Sequence, residues 1–231
     1  MNGEKLLKLV ISFLVVVQVL GFVFKNSLLY LCANAILPAL IALIYFISTK
    51  RIKLFHVVVL LALLFNKWIV FFIENNLMKS LIIGRIMVYV LLFYFLYYNH
   101  KSFKYNSRDV FTLVLGSSLY TVIFFMAYLS LKEQMGELHV IGFLNLLLIY
   151  ILLIVGAMHY INIQSEKSLW FFLSMLNFAF SDFMLLLDTF YLQSYELEVL
   201  LLICEPLAIL FLVNYMVTKS LKLKSEEFEG F

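Results

Sequence analysis

Apolar stretches of about 20 residues recur eight times along this chain, joined by connections too short to hold a domain of their own. A helix needs about that length to cross the hydrocarbon of a bilayer. Inside hydrocarbon, every backbone N–H and C=O must find its partner within its own segment. The fold class that follows is all-α: a polytopic transmembrane bundle of eight helices, with spans at 6–24, 28–48, 54–73, 78–98, 110–131, 138–161, 169–190 and 197–218. Residues 1–218 read as a single transmembrane helical domain and 219–231 as a short cytoplasmic tail, acidic and glycine-ended. Lys5 and Lys8 precede an apolar run as they would in a signal peptide, but no small-x-small cleavage site follows Phe24, so the first span reads as retained.

Composition enters as a check. Hydrophobic residues make up 65% of the chain and charged residues 13%, whereas soluble domains are about half apolar. The net charge of +3 makes no case for nucleic acid, because the basic residues are spread through short connections, where they report orientation. With the amino terminus inside, twelve of the 17 basic residues fall in inner segments: Lys5, Lys8, Lys50, Arg51, Lys53, Lys101, Lys104, Arg108, Lys167, Lys219, Lys222 and Lys224. The outer loops hold only Lys25, Lys79 and Lys132. Both termini are therefore expected to be cytoplasmic and the protein a multi-pass protein of the cell membrane. Cys32 and Cys204 each lie in an apolar span and read as small buried hydrophobes.

Four charges remain inside the spans. Counting about 1.5 Å per residue from the outer ends, Lys67, Arg85, Asp182 and Glu205 come out at depths of roughly 9 to 12 Å. Asn34 and Asn145 reach a similar layer, and Asn66 adjoins Lys67. An isolated charge at such depth is costly. Two cations and two anions facing one interior neutralise each other, which predicts that the four meet. The alternative is that Lys67 and Arg85 snorkel out to the headgroups and leave the acids unpaired.

The stretch 150–212 carries IYILLIVGAMHYIN, then FAFSDFMLLL with Ser181 and Asp182, then CEPLAILFLV. Together with LPALIAL around Pro38 and LLALLF before Asn66, it resembles the YhhN, or lysoplasmalogenase-like, family of eight-span membrane proteins. The resemblance covers about a third of the chain. It implies hydrolysis of the vinyl ether bond of a lysoplasmalogen to an aldehyde and a glycerophospho product, carried by two aspartates. Asp182 matches one of them. The other belongs to a Gly-Asp pair in the third span, where this chain reads NKWIVFF, with Ile69 and Val70 near that place. The family's histidine in the fourth span has no counterpart in GRIMVYVLLFYF.

Opening a vinyl ether takes a proton delivered to the double bond and a water activated against the resulting cation. Two carboxylates in different protonation states can supply both. Asp182 and Glu205 are therefore the candidate catalytic pair, with Lys67, Arg85, Asn66, Asn34, Asn145 and Ser181 as candidate ligand-binding residues. Arg85 is the better shaped of the two cations for a phosphate. The expected ligand is a membrane lipid or lysolipid, with no cofactor and no metal. The rival reading is a catalytically silent relative that binds lipid or supports a partner membrane protein through a structural ion-pair cluster. Plainer readings cover the rest. Pro206 reads as a kink, Asp188 as a solvated helix end and His159 as interfacial. His56, His100 and His139 read as loop-edge residues without metal-ligand spacing, and Tyr94, Tyr97 and Tyr98 as belt or lipid-facing bulk.

Overall fold

A computed structural model describes residues 3–49, 51–73, 76–99 and 107–218. The described chain is helical, without strands: α1 (Gly3–Val23), α2 (Ser27–Ser48), α3 (Leu54–Phe72), α4 (Leu77–Asn99), α5 (Ser107–Met135), a 3-10 turn (Gly136–Leu138), α6 (His139–Ile163), α7 (Glu166–Phe190) and α8 (Tyr195–Val217). By length and composition, seven stretches qualify as membrane spans; one of them, Val110–Ile163, takes in most of α5, the 3-10 turn and α6. The 219–231 tail and Lys50, His100, Lys101, Lys104, Lys219, Lys222 and Lys224 lie outside the described residues, as do the side chains of Tyr97, Tyr98 and Arg108.

Helix ends follow local chemistry. The Asn26 side chain accepts from the Leu29 N–H at 3.2 Å and starts α2. Ser165 and Ser168 satisfy each other's backbone N–H in a capping box that starts α7, and Ser194 accepts from the Leu197 N–H to start α8. Gly136, at φ +51°, breaks the long apolar run between α5 and α6 by entering the left-handed region. Asp188 is more than a solvated end, because its Oδ1 accepts the Ser194 N–H at 3.1 Å and pins the turn between α7 and α8.

The neighbours in space form a closed circuit. α8 packs on α2, α2 on α3, α3 on α4, α4 on α6, α6 on α7, and α7 on α8. Six helices thus make a ring, with α1 outside α2 and α8, and α5 outside α6 and α7. The ring's interior is a large apolar core in which Leu37, Ile41, Tyr45, Leu60, Leu92, Ile149, Phe171, Met175 and Leu212 are essentially without exposed surface. A smaller cluster around Ile82, Leu131, Met135 and Leu186 fastens α5. Outward faces are studded with Leu, Phe, Val and Ile, as expected where the surrounding solvent is hydrocarbon. Gly84 leaves room for α3 against α4: a Cβ at that position would meet the Asn66 carboxamide oxygen.

Candidate functional site

Each helix of the ring sends at least one polar side chain to a common layer. Lys67 of α3 pairs with Glu205 of α8, and Arg85 of α4 pairs with Asp182 of α7. A second Arg85 nitrogen lies 3.3 Å from the other Glu205 oxygen, so the guanidinium bridges both carboxylates. Tyr89, one turn along α4 from Arg85, donates its hydroxyl to Asp182 Oδ2 at 2.7 Å, and Asn145 of α6 donates to the same oxygen at 2.6 Å. On the other side, Lys67 Nζ lies 3.5 Å from Asn34 Oδ1 of α2, which also accepts from Gln18 Nε2 of α1 at 3.2 Å. The result is one chain of contacts from Gln18 to Asn145 that crosses the whole ring.

The physical logic is charge balance. Two cations and two anions taken out of water cost several kcal/mol each by desolvation, recovered only when the pairing is close and the remaining lone pairs are also satisfied. Asp182 meets that condition. It has no exposed surface, and its oxygens accept from a guanidinium, a phenol and a carboxamide. Glu205 and Lys67 form the looser edge, with side chains 10% and 17% exposed. Snorkelling of the two cations to the headgroups is therefore not what this fold does.

Two small cavities flank that edge, each of about 10 Å³, room for about one water. One is bounded by Asn66, Lys67, Arg85, Tyr89 and Glu205, and the other by Gln18, Asn34, Lys67 and the two prolines inside helices, Pro38 and Pro206. Neither includes Asp182. Asn66 is buried with its Oδ1 unpaired, as are Gln18 Oε1 and Asn145 Oδ1. Buried polar atoms of this kind are the usual seats of ordered water.

Searches against family profiles, curated proteins and solved structures return no match for this chain. The site therefore rests on its own geometry.

Among the candidate residues, Asp182, Glu205, Lys67, Arg85, Asn34 and Asn145 are joined by direct contacts, and Asn66 borders the same cavity. Ser181 is not joined to them. It is fully buried with an unpaired hydroxyl, since consecutive residues on a helix point about 100° apart. Two members escaped the sequence reading. Tyr89 lies four residues after Arg85, a spacing that stacks side chains on one helix face, but it is one of 14 tyrosines. Gln18 is a lone polar residue in α1, 1% exposed although its helix lies on the outside. Two histidines are more enclosed than their places near helix ends imply: His159 is 8% exposed, and His56, in the first turn of α3, is 6% exposed.

Proposed function

We propose that this chain is a YhhN-like integral membrane protein whose polar interior receives a single-chain amphiphile and hydrolyses its ether-type bond, with Glu205 as the proton-transfer group. The observation that carries this reading is the asymmetry of the two carboxylates. Asp182 is sealed and saturated with donors, whereas Glu205 borders a water-sized cavity shared with Lys67, Arg85 and Asn66. In this scheme Asp182 stays ionised and holds Arg85 in place. Glu205, ionised in its resting pairs with Lys67 and Arg85, takes up a proton from water when those pairs open for the substrate and gives it to the vinyl carbon remote from the ether oxygen. Water adds to the resulting oxocarbenium carbon and returns its proton to Glu205, and the hemiacetal collapses to alcohol and aldehyde. The substrate needs an opening wider than the small cavities, so helices must part at the Lys67 edge for it to enter.

The expected result is that purified protein releases aldehyde from a lysoplasmalogen and that Glu205→Gln lowers the rate by about 10² or more. Full turnover by Glu205→Gln would refute this assignment. The second reading is an ion cluster without catalysis, in a protein that binds lipid or supports a partner membrane protein. It is favoured by the small size of the two cavities at the layer, about 10 Å³ each, neither of which touches Asp182. Absence of aldehyde release by a folded, lipid-reconstituted wild type would select it.

For topology we propose eight crossings of the cell membrane with both termini cytoplasmic. The supports are the inner bias of lysine and arginine and the break at Gly136. The 54-residue stretch would extend roughly 80 Å as one helix, more than twice the hydrocarbon thickness. Alkaline phosphatase fused after Phe231 is expected to be inactive and a cytoplasm-active reporter at the same place active. The opposite pattern would overturn the orientation.

A further inference from the structure

At the other end of α3 from the charge layer there is a second polar site, which the reading above does not use. The residue at the cap of α3 is Lys53, which offers no side-chain acceptor to the first-turn N–H groups. α2, α7 and α8 are each capped by Asn26, Ser165 and Ser194. Uncapped first-turn N–H groups attract anions through their free hydrogens and the helix dipole.

The surroundings are arranged accordingly. His56, in that first turn, is more than nine-tenths buried, and its Nδ1 has no partner. The hydroxyls of Ser48 and Thr49, at the end of α2, are likewise buried without a partner. Ser48 lies three positions after Tyr45, the spacing that places side chains on one helix face, and Thr49 is the cap that follows. Tyr45 touches both parts of the site: its ring lies 5.3 Å from that of His56, and its hydroxyl accepts the Lys53 N–H at 2.9 Å. Two cations close the site. Lys53 and Lys167 both act electrostatically on His56 and on each other, and neither is in an ion pair among the described residues. Lys167 lies over the Tyr215 ring, whose edge meets Phe95, which packs on His56. The nearest carboxylate in sequence, Glu166, is turned to the Trp170 indole N–H.

Two lysines close enough to act on each other and unpaired among the described residues, three orphaned polar atoms and a free helix start share one missing partner, an oxyanion with several acceptor oxygens. We infer that this end of the bundle binds a phosphate group, through Lys53, Lys167, His56, Ser48, Thr49 and the first-turn N–H groups of α3. The phosphate belongs to an anionic lipid headgroup or arrives as soluble phosphate. Basic pockets between helices at the lysine-rich side of a membrane protein commonly hold the first.

The test uses the full chain in a neutral maltoside detergent. Melting temperature is followed on adding inorganic phosphate against chloride at equal ionic strength, and on adding phosphatidylglycerol against phosphatidylcholine. A rise with phosphatidylglycerol alone assigns the lipid headgroup, a rise with inorganic phosphate alone assigns soluble phosphate, and a rise with both supports the site for either source. In each case the double variant Lys53→Gln, Lys167→Gln should raise the half-saturating concentration about tenfold or more, while Lys25→Gln, away from this end, should not. Should the double variant fail to fold, His56→Gln and Ser48→Ala carry the same comparison. No rise with any probe, or a rise that these variants leave unchanged, overturns the proposal.

Discussion

Replacing Arg85 by methionine is expected to do more damage than any other single substitution in this protein. The guanidinium touches Asp182 and Glu205, so its loss strips the first acid of the only cation, and the second of one of the two cations, paired with it among the described residues. Methionine fills most of the volume, so the effect is electrostatic rather than a cavity. Removing one partner of a buried ion pair costs about 3 to 5 kcal/mol, because the other charge is left unpaired in a low dielectric. For a chain of this length that is a fall in melting temperature of about 10 °C or more, measurable by thermal unfolding in detergent. Adding Asp182→Asn to Arg85→Met removes the stranded charge and should recover part of the loss. A melting temperature for Arg85→Met within about 2 °C of wild type would mean that this guanidinium is not what neutralises the layer.

Lys67→Met should act in the same direction and less strongly. Its side chain is partly exposed at the edge of the cluster, and Glu205 retains Arg85 at 3.3 Å when the lysine is gone. A loss of about 1 to 3 kcal/mol is expected, the range for a buried polar group left unsatisfied. The informative quantity is the coupling. If Lys67 and Glu205 stabilise one another, Lys67→Met with Glu205→Gln should be less destabilised than the sum of the single variants, by about 0.5 to 3 kcal/mol. Strict additivity in the thermal melts would show that the contact contributes nothing and that each residue acts through other neighbours.

The reasons why these charges could be located before any coordinates, while their companions could not, differ residue by residue. A charge inside an apolar stretch is conspicuous because hydrocarbon makes it expensive. Counting residues from helix ends then gives depth, and four such charges at one depth imply a meeting. The helix limits followed the apolar runs closely where a run ends at a turn: the 54–73 stretch became Leu54–Phe72 and the 28–48 stretch became Ser27–Ser48. They failed where a helix continues into polar residues. α5 runs through Lys132, Glu133 and Gln134 to Met135, and α7 starts at Glu166 because Ser165 caps it. Hydropathy marks the membrane, whereas caps mark the helix. The order of helices around the ring was not legible, since outward and inward faces are both apolar and carry little periodic contrast. Without that order, the place of Tyr89 under Asp182 and of Gln18 beside Asn34 had no sequence signal. The phosphate-seeking start of α3 was hidden for a related reason. His56 reads as a loop-edge residue in the sequence, which carries no sign that it is buried with its Nδ1 unpartnered.

The ring also has a history in time. Arg85 and Asp182 are 97 residues apart, and a ribosome adding about 5 to 20 residues per second separates their synthesis by roughly 5 to 20 s. During that interval α3 and α4 have been made with their cations while both acids are still unmade. The nascent chain must keep Lys67 and Arg85 near water, within the insertion machinery or at a headgroup, until α7 and α8 arrive. Assembly of this protein is therefore completed by its last helix, and a chain cut short before Glu205 leaves the bilayer holding excess positive charge.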